Sequence, residues 1–458
     1  MSVSLCMIVK NEAMNLEACL QPVLDLVDDI VVIDTGSTDG TLELAKRLGA
    51  RVFEFRWRDD FSAARNEALR HALGDWVFIL DGDDRLPQSE REKLRALFGS
   101  LGNENVGYVM RRISLAADGG IANEIEQVLL FRRRPGVSWQ YRVHEQIAPS
   151  IVRTGGRLKA TPVRVVHVGY RDGAVVDAKN ERNLRLVERD LEEHPKDPFL
   201  LFYRGTTLTE LGRFAEATNA LSACRARVPP KDDMGRALAL CLARAFEAEG
   251  RTADALEVLR VARKSNPQHA ALTVAEAEMR IRSGDVQGAA DSLAGVTSRR
   301  DQGLGQQEAR ARMLLGEALL TLGRHDDAEH VGSELVAQRP AFGGGWIVLA
   351  DALLARGNVD DLWTLHAKLG AVRGASGAQA LIAAAARAHT GSRAEAIEAA
   401  TAAMAEHPRD TMLAHLRERL ELSPDGAVPV PLIACLTPPW VLRATKRTES
   451  SQSAVQSP

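Results

Sequence analysis

The sequence predicts an α/β domain over residues 1–172 followed by an all-α superhelix of about six helical repeats over 197–420. Three observations carry this reading. In the first part, short β-branched runs alternate with segments of helical spacing, the signature of βαβ units. All four tyrosines, at 108, 141, 170 and 203, lie before residue 204, and Ala, Leu and Arg dominate beyond it. In the second part, six glycines recur in phase with small residues: Gly212, Gly250, Gly284, Gly323, Gly357 and Gly391.

Taken in order, the runs SLCMIV (4–9), DIVVID (29–34), ARVFEF (50–55), DWVFIL (75–80), VGYVMRRIS (106–114), QVLLFR (127–132) and VRVVHV (163–168) read as strands. Residues 12–27, 40–48 and 62–73 between the first four read as helices. The alternation implies a parallel sheet with right-handed crossovers. Ligands of such sheets bind outside the carboxyl ends of the strands. Residues 173–196 form a linker helix, with Leu184, Val187 and Leu191 on one face and Pro195 as its stop.

The repeat glycines are spaced by 38, 34, 39, 34 and 34 residues. A small residue stands seven positions before each: Gly205, Ala243, Ala277, Gly316, Ala350 and Ala384. Ala217, Ala255, Ala289, Ala328, Leu362 and Ala396 follow five positions after, and Pro229, Pro267, Pro340 and Pro408 close four of the units seventeen after. Small residues let two helices approach, glycine turns the chain and proline ends the second helix. The pattern resembles the tetratricopeptide repeat (TPR), which implies a concave face that binds peptides or proteins. The Pro/Ser-rich segment 421–458 reads as mostly disordered.

Composition narrows the function. With 58 basic against 61 acidic residues the net charge is −3, which gives no bulk electrostatic reason to expect nucleic-acid binding. Five cysteines without a C-x-x-C pair suit neither a disulfide framework nor a zinc site. The apolar stretch before Lys10 is too short for a signal segment, and no run of about 18 apolar residues spans a membrane. The expectation is a cytoplasmic protein without a transmembrane segment.

The chemistry sits at the strand ends. The first glycine is Gly36, so the turn after the first strand, VKNEAMN, cannot cradle a dinucleotide diphosphate, and no Gly-Lys pair supplies a P-loop. Phosphates would have to be held through a metal on carboxylates. Asp34 ends the second strand in VVIDTGSTDGT, ahead of a helix capped by Ser37 or Thr38. Asp81 and Asp83 end the fourth in ILDGDD, where the intervening glycine lets both face one ion. Hard cations such as Mg²⁺ or Mn²⁺ take one or two carboxylates plus substrate phosphates. The alternative is a solvated Asp-Gly turn. Arg65 suits a phosphate or the acidic cluster, against a plain surface arginine.

Together, CMIVKNE, VVIDTGSTDGT, FSAARNEAL and ILDGDD resemble a family 2 glycosyltransferase of the GT-A fold over about residues 3–170. The resemblance implies a nucleotide-sugar site made by Asp34, Arg65, Asn66 and Asp81, with Asp83 as metal ligand. Asp84 stands where the family often has Glu. His167, ending the last strand in VVHVGY, is a further candidate for the metal. Relatives with trailing TPRs share a V-H-E string, matched by Val143, His144 and Glu145. Glu145 is thereby the candidate base that takes the acceptor's proton; its alternative is a surface pair with Arg142.

The expected function is therefore a metal-dependent, inverting hexosyltransferase that uses a nucleotide-sugar donor, most simply a UDP-sugar. Its acceptor would be a protein, peptide or cell-envelope glycan recruited by the repeats, which also offer a surface for a protein partner. The alternative is a non-catalytic TPR scaffold with a degenerate sugar-nucleotide-binding domain.

Overall fold

The computed structural model describes residues 1–115, 121–168, 173–297, 305–358, 360–372, 376–390, 393–406 and 417. The segment 421–458 lies outside these, as do Gly391 and Pro408. The chain divides into two compact units, Met1–Leu200 and Leu201–Pro458.

The first unit is built on one sheet of eight strands: β1 (Val3–Val9), β2 (Asp29–Asp34), β3 (Arg51–Glu54), β4 (Trp76–Ile79), β5 (Asp84–Arg85), β6 (Val106–Leu115), β7 (Ile121–Arg132) and β8 (Arg157–His167). Their order across the sheet is β3-β2-β1-β4-β7-β6-β8-β5. β1 runs parallel to β2 and β4, and β2 parallel to β3. Beyond β4 the all-parallel expectation fails, because β7 is antiparallel to both β4 and β6. Only residues 116–120 join β6 to β7, too few for a crossover, so that pair can only run antiparallel. The sheet is mixed.

Six helices accompany it: α1 (Leu16–Leu20), α2 (Thr41–Arg47), α3 (Phe61–His71), α4 (Gln88–Gly99), α5 (Ala148–Arg153) and α6 (Gly173–Glu193). Alternation along β1 sends Leu5 and Met7 to one face, where they pack with Leu16 and Leu20 of α1, Leu44 of α2 and Leu94 of α4. Cys6 faces the other side, with Val31, Ile33, Val77, Ile79, Ala64 and Ala68 of α3, and Ile151 of α5. Helices thus cover both faces, and the carboxyl ends of β1, β2 and β4 meet at one edge.

Two turns at that edge depart from the sequence reading. α1 is shorter than 12–27, because the residues before it are drawn onto the turn after β2. The Glu12 amide donates to Thr41 Oγ1 (2.9 Å) and the Ala13 amide to Asp39 (3.1 Å). Ser37 and Thr38 do not cap α2, which starts at Thr41 behind Gly40 at φ 88°. Ser37 Oγ accepts from the Asn11 amide (2.9 Å), and Asn11 Oδ1 accepts from the Thr38 amide (2.8 Å). Side chains that looked like caps stitch two loops together.

From Pro198, at the end of the first unit, the described helices come in successive pairs: α7 (Pro198–Glu210) with α8 (Phe214–Arg225), α9 (Asp233–Ala248) with α10 (Thr252–Ser265), α11 (Ala270–Arg282) with α12 (Val286–Thr297), α13 (Gln306–Thr321) with α14 (His325–Gln338), α15 (Gly343–Ala355) with α16 (Asp360–Gly370), and α17 (Ser376–Thr390) with α18 (Arg393–Glu406). Gly212, Gly250, Gly284, Gly323 and Gly357 turn the chain at φ between 71° and 86°. The small residues act as the spacing implied. A Cβ on Gly205 would lie 2.4 Å from Leu221 Cγ, and one on Gly316 would lie 2.6 Å from Val348 Cγ1. Among the described residues no helix is long and apolar enough to cross a membrane.

One acid in these repeats gives a pH signature. Burial, with Asp351 of α15 and Glu278 of α11 nearby, pushes Glu317 of α13 up to about 7, against a smaller pull from Arg282 of α11. The folded state then holds a proton that the unfolded chain releases between about pH 4.5 and 7. Stability therefore falls as pH rises through that window and levels off above it. Glu317→Gln should raise stability by about 1–3 kcal/mol at pH 8 and by almost nothing at pH 4. Urea unfolding at the two pH values checks this.

Candidate active site

Arg65 organises the centre of the site. It lies on the second turn of α3, whose N-cap Asp60 accepts the Ala63 amide at 2.8 Å. The side chain is buried, with its guanidinium 5.1 Å from the Trp139 ring centroid. Nη2 donates to Asp81 Oδ1 at 2.9 Å, and Nε donates to Glu145 Oε1 at 2.5 Å. Burial alone would lower the pKa of this cation; Glu145 and Asp81 more than reverse that and keep it charged. One arginine therefore joins the strand-end aspartate to the loop glutamate. The alternative pair Arg142–Glu145 does not form: Arg142 pairs with Asp190 and Glu193.

A second arginine completes the network. Arg112 on β6 donates from Nη1 to Asp81 Oδ2 and from Nη2 to Asp84 Oδ2, both at 2.7 Å. Asp84 is fully buried, and its Oδ2 also accepts the Asp81 amide at 2.9 Å. Burial pushes the Asp81 carboxyl up, but Arg112 and Arg65 outweigh it and hold the group below the usual carboxylate range. Asp81 thus spends both oxygens on guanidinium groups. Sequence reading missed Arg112, although a signal existed. Val106, Tyr108, Met110 and Arg112 share one buried face of β6, so a charge stands where the period of two calls for an apolar residue.

Beside this lies a cluster of Asp83, Asp84 and His167, whose donor atoms all fall within 4.8 Å of one another. β5, two residues long, pairs Asp84 with His167 of β8, and the Val168 amide donates to Asp83 O at 3.0 Å. His167 Nδ1 lies 3.2 Å from Asp84 Oδ1 and 3.3 Å from Asp83 Oδ1. The bond to Asp84, with Asp83 nearby, raises the imidazole pKa against the opposing effect of burial. Burial, and then Asp81 and Asp84, raise that of Asp83, while His167 pulls it down. At Gly82 a Cβ would meet Glu12 Cγ at 2.7 Å, so any larger residue would displace the Glu12 side chain.

The donor set suits a divalent cation. Two carboxylates and an imidazole would leave positions for phosphate oxygens and water. Asp81, Asp83, Asp84 and Glu145 lie beside the guanidiniums of Arg65 and Arg112 and the imidazole of His167, an acid-rich set that a dication would help to balance. Asp84, which the family comparison of motifs treated as a substitute for Glu, is part of this set.

The other two candidates sit differently. Asp34 is buried at the end of β2, on the same sheet edge, and bonds its own turn: Oδ2 accepts the amides of Gly36 (2.9 Å) and Ser37 (3.0 Å). No described hydrogen bond links it to the Asp81 network. Asn66 uses its side-chain amide on the backbone of Trp139, accepting from N at 2.8 Å and donating to O at 3.0 Å. It braces the loop that carries Glu145.

Residues 4–149 match the model of glycosyl transferase family 2, and residues 202–270, 240–303 and 274–341 match that of the tetratricopeptide repeat. The chain carries a family 2 glycosyltransferase domain followed by TPRs. A TPR repeat-containing protein of Synechococcus elongatus is 36% identical over 217 residues, covering 46% of this chain and 53% of that protein. The SPbeta prophage-derived glycosyltransferase SunS of Bacillus subtilis is 27% identical over 218 residues, covering 47% of this chain and 51% of that one. The chain spans about half the length of these curated relatives. A solved tetratricopeptide repeat protein from Parabacteroides merdae aligns with a TM-score of 0.42 at 14% identity, over 54% of this chain and 94% of its own.

Proposed function

We propose that the protein is a metal-dependent, inverting glycosyltransferase that moves a sugar from a UDP-sugar to a hydroxyl or other nucleophile of a protein, peptide or cell-envelope glycan. The observation that carries this is the buried Asp81–Arg65–Glu145 chain next to Asp83, Asp84 and His167. On this reading the base, the diphosphate cation and the metal site form one cluster at the carboxyl edge of the sheet.

In this mechanism Asp34 contacts the nucleoside, and Arg65, charged and fixed between two carboxylates, faces the diphosphate. Bound to Asp83, Asp84 and His167, Mn²⁺ or Mg²⁺ would supply charge neutralisation for the leaving diphosphate. Glu145 takes the proton of the acceptor hydroxyl as its oxygen bonds the anomeric carbon and the bond to the diphosphate breaks. Inversion follows from that single displacement. Asn66 keeps Glu145 in place through Trp139. The repeats recruit the acceptor or a protein partner, and the reaction takes place in the cytoplasm. The complete acid and arginine set disfavours a degenerate, non-catalytic binder.

A thermal-shift titration of the full chain tests the reading. UDP should stabilise the protein only with Mn²⁺ or Mg²⁺ present, by about 2.7 kcal/mol at a hundredfold excess over Kd. An equal shift in EDTA would remove the metal from the proposal.

A further inference from the structure

We infer that α6 and the residues after it, 194–199 (the turn and the first two residues of α7), position the catalytic machinery: they hold the 139–147 loop so that Glu145 meets Arg65. This rests on the reading of Glu145 as the base. Residues 173–199 lie beyond the segment matched to the glycosyltransferase family, and nothing in their sequence advertises a catalytic task.

The loop cannot hold its shape unaided. Tyr141 and His144 adopt φ of 73° and 55°, left-handed values that non-glycine residues rarely take. Such residues persist only where surrounding contacts over-determine them. Beside the Asn66 brace on Trp139 and the Gln140–Gln146 backbone pair, α6 and the residues after it supply such contacts to Tyr141 and Arg142. Asp190 on α6 is buried; its Oδ2 accepts the Arg142 amide at 2.8 Å, and it pairs with the Arg142 guanidinium. Glu193 takes the same guanidinium at 2.6 Å. Asp197 accepts the Tyr141 hydroxyl at 3.1 Å, and the Phe199 ring stacks on Tyr141 with centroids 4.5 Å apart.

The same helix also grips the start of α3, which carries Arg65. Arg189 pairs with Asp59 at 3.0 Å, Arg185 lies 3.7 Å from Asp59, and the Arg182 guanidinium sits 5.1 Å from the Phe61 ring centroid. The Phe61 amide in turn donates to Arg142 O at 2.8 Å. Both partners of the Arg65–Glu145 pair are therefore fastened to one helix outside the sheet. Asp190 and Arg142 are positioning residues. They touch neither donor nor acceptor in this scheme and act through the placement of Glu145.

The test is a double-mutant cycle in the full chain. Its readouts are UDP release from the UDP-sugar that the protein hydrolyses, and calorimetric affinity for UDP with Mn²⁺. A misplacement of about 1 Å can lower a rate about 100-fold. Asp190→Ala should lower kcat by about 10- to 100-fold while UDP affinity stays within about twofold. Added to Glu145→Gln, it should lower kcat no further, because the residue through which it acts is already disabled. A further drop of tenfold or more in the double variant would overturn the inference, since a general structural defect adds to the loss. Arg142→Gln, at a half-exposed position, removes the same tie if Asp190→Ala fails to fold. Normal kcat in folded Arg142→Gln and Asp190→Ala proteins, with Glu145→Gln inactive, would overturn the inference alone. Normal kcat in Glu145→Gln would overturn the base assignment and the inference with it.

Discussion

Glu145→Gln is expected to lower kcat by about 10²–10⁴-fold, the range typical of general base catalysis, with donor affinity almost unchanged. Gln keeps the length of the side chain and an oxygen that can accept from Arg65 Nε, but it cannot take a proton. In the proposed mechanism the donor is held elsewhere, by Asp34, by Arg65 and through Asp83, Asp84 and His167. The Arg142–Glu145 surface pair does not form, because Arg142 is engaged with α6 and Glu145 with a buried arginine. Steady-state kinetics with a parallel UDP titration separates the outcomes. Near wild-type kcat in folded protein would mean that the base lies elsewhere.

Asp83→Ala should show the opposite balance, losing the metal-dependent part of donor binding together with turnover. Its effect on the free protein is expected to have the other sign. Burial and the neighbouring Asp81 and Asp84 carboxylates raise the Asp83 pKa, so the ionised group is held unfavourably without a cation. In EDTA the variant should melt no earlier than wild type, and Mn²⁺ with UDP should no longer shift it. A residue present only for the fold would destabilise the protein in EDTA when removed. Calorimetry with and without Mn²⁺ distinguishes the two.

The sequence shows some of this architecture directly and hides the rest for definable reasons. β1, β2 and β4 are buried on both faces, so they appear as continuous apolar runs, with Asp34 ending β2 and Asp81 just beyond β4. The repeat register is legible because glycine and small residues have positional duties that other side chains cannot meet. A Cβ on Gly205 would collide with Leu221, and Gly212 turns the chain at φ 75°. β5 was not legible, since two residues carry no period. The first residues of β8, 157–160, are exposed and so show no alternation of apolar side chains. The mixed direction of the sheet was hidden because strand polarity is set by connections rather than by composition.

At the site, motif reading identified Asp81, Asp83, His167, Arg65 and Glu145, and the fold brings these together. It treated Asp84 as a mere substitute, because its contact with His167 depends on the unseen β5. It placed Asn66 at the nucleotide, whereas the side chain is occupied by the Trp139 backbone. The roles of Arg112 and Asp190 depend on partners 31 and 48 residues away, a relation no local pattern reveals.

The central claim is that this cluster breaks a sugar–diphosphate bond with the help of a divalent cation. Its most direct test is a donor-hydrolysis screen of the full chain across UDP-, GDP- and dTDP-sugars, each with Mn²⁺, with Mg²⁺ and with EDTA. The account expects release of UDP from a UDP-sugar that depends on the added metal and disappears in Asp83→Ala. Hydrolysis at an undiminished rate in EDTA, or a folded protein that binds no nucleotide and cleaves none of the donors, would contradict it.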